Sequence, residues 1–125
     1  MTGDDPATQK VERFILEAIE SVPHIEALLL LWKSRPKQWL LEEIAKALYV
    51  PPERAQAILH DLGTRGLVAR EAANYSYVST TEQDSLIEDV DRIYRRDLIR
   101  ISTMIHSKAS PAVREFARAF RWKRD

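Results

Sequence analysis

Residues 40–68 read Leu-Leu-Glu-Glu-Ile-Ala-Lys-Ala-Leu-Tyr-Val-Pro-Pro-Glu-Arg-Ala-Gln-Ala-Ile-Leu-His-Asp-Leu-Gly-Thr-Arg-Gly-Leu-Val. Leu41, Ile44, Ala45 and Leu48 recur at helical spacing, and so do Ala55, Ile58, Leu59 and Leu62. Pro51 and Pro52 part the two stripes, because proline breaks a helix interior and yet suits a first turn. Two short helices joined this tightly cross at a steep angle and share one small core. Gly66 stops the second helix, since glycine takes a left-handed C-terminal turn without steric cost. Leu67 to Glu71 and Tyr75 to Val78 then read as a hairpin. Its turn is Ala72-Ala73-Asn74, with Asn74 suited to the left-handed conformation.

Upstream, Gln38-Trp39-Leu40 reads as a very short strand, preceded by the breaker Ser34-Arg35-Pro36-Lys37. A helix from His24 to about Lys33 has Pro23 in its first turn, and its Ile25, Leu28, Leu29 and Trp32 face one way. Leu30 and Leu31 widen that face, which predicts burial on most sides. Asp5-Pro6 starts an earlier helix, striped by Val11, Phe14, Ile15, Ala18 and Ile19, that ends near Ser21. Downstream, Thr80-Thr81 with Gln83 and Asp84 resembles a capping box. It opens one long helix to about His106, along which Ile87, Val90, Tyr94, Leu98, Ile101 and Ile105 line one face. Ser110-Pro111 opens a last helix with an apolar side of Val113, Phe116, Ala117 and Phe120 and a basic side of Arg114, Arg118 and Arg121.

Residues 24–79 resemble a winged helix-turn-helix domain of the MarR-like bacterial regulators. The resemblance rests on Ile44-Ala45-x-x-Leu48, then Val50-Pro51, then Leu62-x-x-x-Gly66-Leu67-Val68, then the tyrosine-containing hairpin. It implies a mainly α fold with a small β-hairpin, a winged helix-turn-helix core carrying N- and C-terminal helical extensions. The expected division is an N-terminal helix at 1–22, the winged domain at 23–79 and a helical, basic extension at 80–125. With its apolar stripe buried, the helix at about 52–65 turns Glu53, Arg54, Gln56, Ala57, His60, Asp61 and Thr64 outward. The resemblance further implies that this helix meets the major groove of duplex DNA through Glu53, Arg54, Gln56, Ala57 and His60. Arg can bridge guanine O6 and N7, Gln can bridge adenine N6 and N7, and Ala can touch a thymine methyl. Gln38, Lys46, Arg65 and Arg70 are assigned to phosphates or the groove beside the wing. A homodimer is expected through Val90, Tyr94, Leu98, Ile101 and Ile105 of the long helix, with Phe116 and Phe120 of the last helix and the first helix adding to it.

Charge sharpens the choice of partner. Residues 1–91 carry 9 Lys/Arg against 16 Asp/Glu, and residues 92–125 carry 10 against 3, so a net charge of zero hides an acidic body and a basic end. Phosphate neutralisation supplies much of the affinity for DNA, yet the reading helix has only Arg54 and Arg65, and the wing only Arg70. Two readings follow. The first is a DNA-binding transcriptional regulator; the second is a winged-helix protein-interaction module that binds a partner through its acidic recognition face or its basic C-terminal helix.

Enzyme chemistry finds no support. His24, His60 and His106 are far apart with no metal-ligand spacing, three glycines make no phosphate loop, and no serine occupies a nucleophile elbow. No catalytic residue, metal or cofactor is assigned. With no cysteine there is no disulfide framework or thiolate site. The acidic N-terminus is unlike a signal peptide, and the run Ala27–Trp32 is far shorter than the roughly 20 residues that cross a bilayer. A cytoplasmic setting with no membrane span is the expectation.

Overall fold

The computed structural model describes residues 5–109 of the chain. Six helices and three strands follow in the order α1 (Pro6–Ala18), α2 (Val22–Lys33), β1 (Trp39–Leu40), α3 (Leu41–Leu48), α4 (Pro52–Thr64), β2 (Val68–Glu71), β3 (Asn74–Tyr77), α5 (Thr81–Arg96) and α6 (Leu98–Ala109). The mainly α architecture with a helix-turn-helix and a hairpin wing is as the sequence predicts. The last helix expected after Ser110, with Phe116, Phe120 and the basic side chains of a possible protein contact, lies outside the described residues.

The hub is α2, which packs against α3, α4, α5, α6 and β3. Its Ile25, Ala27, Leu28 and Leu31 are fully buried, which explains why its apolar surface runs most of the way round. One continuous cluster joins Val11, Ile15 and Ile19 of the N-terminal segment to Ile44, Ile58, Leu59 and Leu62 of the helix pair and to Ile87, Val90, Ile93, Ile101 and Ile105 of the C-terminal segment.

The turn between α3 and α4 is built from backbone geometry. Tyr49 ends α3 in the left-handed conformation, at φ 58°. Its N–H donates to the Lys46 carbonyl at 3.2 Å, and the Val50 N–H donates to the Ala45 carbonyl at 3.0 Å. That pair of bonds closes the helix end in the manner usually reserved for glycine. Pro51 is extended and Pro52 opens α4, so the chain leaves one helix and enters the next within four residues. The Tyr49 side chain is 95% exposed and packs on little. Tyr49→Gly is therefore expected to raise stability by about 1 kcal/mol through relief of the left-handed strain, read as a higher urea midpoint at unchanged slope.

The sheet runs β1-β3-β2 and is antiparallel throughout. Trp39 pairs with Tyr75 and Leu40 with Asn74 on one side of β3, and Arg70 pairs with Tyr75 and Glu71 with Asn74 on the other. The hairpin turn thus shrinks to Ala72-Ala73. Ala72, at φ 55°, takes the left-handed place expected of Asn74. Asn74 is a strand residue because β1 and β2 both pair with it, and those pairings set the register that fixes which residue must turn.

Two expectations about helix ends need correction. The first helix stops at Ala18, not near Ser21, because Ser21 is already the extended residue preceding α2. The Lys108 ammonium donates to the carbonyls of Ile15 and Leu16 at 2.9 and 2.7 Å, closing the end of α1 from α6. The helix expected to be unbroken from Thr81 to His106 is two helices parted at Asp97, at φ −121° and ψ 45°. Neither proline nor glycine marks the break. The Asp97 carboxylate instead accepts from Arg96 at 2.8 Å and from Arg100 at 3.0 Å, while Arg100 also donates to Glu12 of α1. The break turns Leu98 outward, 50% exposed beside Ile99 at 81%.

These guanidinium bonds hold the Asp97 carboxyl down at about 2. A carboxylate lowered in the folded state contributes stability that is whole above its unfolded value near 3.9 and is lost as pH falls through the folded value. The stability difference between the native chain and Asp97→Asn is expected to be constant above about pH 5 and to shrink between pH 4 and pH 2. Urea midpoints across that range would check it.

At the start of α5, Thr80 Oγ1 accepts from the Gln83 N–H at 3.1 Å, half of a capping box. The Gln83 side chain does not reciprocate; it donates to the Val78 carbonyl at 2.7 Å. The start of α3 shows the converse. Leu40 has no side-chain acceptor to offer, but Glu43 accepts the Leu40 N–H at 2.9 Å, so an acid of the first turn supplies the cap.

Candidate nucleic-acid interface

The apolar stripe of α4 sets the geometry of its opposite face. Ala55, Ile58, Leu59 and Leu62 are buried against the core, and this leaves Glu53, Arg54, Gln56, Ala57, His60 and Thr64 exposed. Four of the residues assigned to the major groove, Arg54, Gln56, Ala57 and His60, therefore share one open helix surface. Between α4 and the wing lies a groove of about 610 Å³, lined among others by Gln56, Ala57, His60, Thr64, Arg70 and Tyr75. Glu53 and Asp61 also line it, so it holds two carboxylates.

The remaining assigned residues are exposed but dispersed. Arg65 follows the C-terminus of α4, Lys46 is on α3, and Gln38 precedes β1; none of them lines the groove. Arg70 does, but its Nε donates to the Ala72 carbonyl at 2.9 Å and its guanidinium lies 5.8 Å from the Tyr75 ring. The single basic side chain of the wing is folded onto its own hairpin. Lys37, beside Gln38, stacks over Trp39 at 3.8 Å. Among the described residues no hydrogen bond or ion pair engages Arg54.

Asp61 departs from its expected outward place. Its carboxylate meets His24 Nε2 at 2.9 Å, and the other ring nitrogen, Nδ1, is 2.6 Å from Ser21 Oγ. His24 is only 4% exposed. This chain of three side chains ties α4 to the start of α2. Sequence reading missed it because the partners are 37 residues apart; the one local signal was Ser21 three residues before a histidine in an apolar helix.

The residues assigned to a dimer divide sharply. Val90, Tyr94, Ile101 and Ile105 are buried within the protomer, between 0% and 6% exposed, where α1 and α2 cover them. Leu98 is the one described member of that set on the surface, with Ile99 and Leu16 as further exposed apolar side chains. Among the described residues no helix is long and apolar enough to cross a membrane.

A helix-turn-helix whose second helix stands open beside a hairpin wing defines the winged-helix class. Within that class the fold is of the MarR type. It is similar to a MarR family protein of Mycobacterium tuberculosis, at 20% identity and a TM-score of 0.56 over 95% of this chain and 86% of the other. It is also similar to MepR, a transcription regulator of the Staphylococcus aureus multidrug efflux pump MepA, at 20% identity and 0.54 over 94% and 86%. A third likeness is the Mycobacterium tuberculosis protein in complex with DNA, at 19% identity and 0.54 over 90% and 84%. At such identities the likeness is one of fold. No family model matches the sequence, and no curated protein does.

Proposed function

We propose that this protein is a transcriptional regulator that binds duplex DNA with α4. The carrying observation is the open face of α4, with Gln56, Ala57 and His60 in the groove beside the wing and Arg54 exposed on the first turn outside that groove, in a fold shared with a protein solved on DNA. In this reading Arg54 and Gln56 meet base edges, while Gln38, Lys46, Arg65 and Arg70 meet phosphates. The acting form is a cytoplasmic homodimer in which the exposed Leu98 and Ile99 face the second copy. Two copies place two reading helices on a two-fold site.

A titration of genomic fragments at two salt concentrations tests the reading. Three cations per protomer assigned to phosphates, Lys46, Arg65 and Arg70, set an upper slope of roughly 5 in log affinity against log salt for a dimer. A sequence-selective complex that weakens with salt, at or below that slope, is the expected result. No complex with any fragment at low salt overturns it.

A further inference from the structure

The contact between Ser21, His24 and Asp61 has a fourth member. The carboxylate of Glu20 also approaches His24 Nε2, at 3.9 Å. Nε2 can present one proton or one lone pair. If its proton serves Asp61, Glu20 is left as a second negative charge near the same point. The nearby ammonium of Lys108 is bound to the carbonyls of Ile15 and Leu16. Two carboxylates converging on one imidazole nitrogen form an arrangement that a proton satisfies only in part and a divalent cation satisfies whole.

We propose that Glu20, His24 and Asp61 form a binding site for a divalent transition metal of the zinc type. One imidazole nitrogen and two carboxylate oxygens are a donor set that zinc accepts, at bond lengths near 2.0–2.2 Å. Tetrahedral bonds of that length place ligand atoms roughly 3.3 Å apart. The present separations, 2.9 Å to Asp61 and 3.9 Å to Glu20 with all three atoms within 4.8 Å of one another, bracket that value. Rotation of the Glu20 side chain, 53% exposed, closes the wider gap. His24 is oriented as a ligand should be: with Nδ1 protonated, its N–H donates to Ser21 Oγ and leaves the Nε2 lone pair for the ion. Both carboxylate side chains are partly exposed, 53% for Glu20 and 37% for Asp61, so water can supply a fourth ligand. The ligands come from the α1–α2 elbow and from α4, so the bound ion pins the helix carrying Arg54 and Gln56 to the hub of the fold.

The test is equilibrium binding of Zn²⁺ alone to the full chain, with Co²⁺ as a spectroscopic probe. One Zn²⁺ per chain and a tetrahedral Co²⁺ absorption are expected in the native protein. His24→Gln removes both. Glu20→Gln changes an exposed side chain that the fold does not need and weakens binding at least tenfold, and Ser21→Ala weakens it about 10–100-fold by releasing the imidazole. Absence of stoichiometric binding overturns the site. So does a Co²⁺ spectrum unchanged in both His24→Gln and Glu20→Gln, which assigns the ion to the exposed His60 or His106.

Discussion

Arg54→Ala is expected to weaken binding to a selected duplex by about 1–3 kcal/mol, roughly 5- to 150-fold, and to relax base preference at one position of each half-site. The size follows from the state of the side chain before binding. Arg54 is exposed on the first turn of α4 and engaged by no partner among the described residues, so a guanine edge gains its fork without an internal bond being broken. Arg70 stands in contrast. Its bond to Ala72 and its place over Tyr75 must be given up or shared before it reaches DNA, so Arg70→Ala should cost less. Lys46→Ala supplies the control, with a uniform loss on selected and scrambled duplexes and a salt slope reduced by about 2, about 1 for each protomer of the dimer. Equal losses on both duplexes for Arg54→Ala would make Arg54 a phosphate contact and remove it as a base reader.

What the sequence showed of this site was what short-range rules decide. Pro51-Pro52 with its two flanking stripes set the helix pair, and Gly66, at φ 74°, ends α4 as expected. With the stripe of α4 buried, the exposure of Arg54, Gln56, Ala57 and His60 follows from helical geometry. The misses lie beyond periodicity. Asn74 lost the turn to Ala72 because β1 claims it from a distance of more than thirty residues. The break at Asp97 falls where Arg96 and Arg100 bond the Asp97 carboxylate, and no proline or glycine signals it. Asp61 was turned toward His24 by a residue in another helix. The turn register and the place of Asp61 were decided by contacts between segments far apart in the chain, and the break at Asp97 by side-chain bonds; periodicity encodes neither. The apolar face of α5 and α6 was legible as a face, but its cover came from α1 and α2 of the same protomer.

That last point yields the largest stability effect. Leu28 is fully buried at the centre of α2, the helix that touches α3, α4, α5, α6 and β3. Leu28→Ala removes three side-chain carbons from the buried face of a helix that five elements pack against, and such packing closes a void only by moving some of them. The expected loss is about 2–5 kcal/mol, the transfer cost of the lost carbons together with the cavity left behind. In a domain of this size the melting temperature should fall by roughly 10–20 °C. Because the contacts lie within one protomer, the fall should be independent of protein concentration. Leu98 offers the opposite case: half exposed at the α5–α6 break, it should change protomer stability by less than about 0.5 kcal/mol when replaced by serine. Together with Ile99→Ser it should instead lower the solution mass by light scattering from two copies to one, and remove any dependence of melting on concentration. A mass of two copies in that double variant would place the contact between protomers elsewhere than at the break.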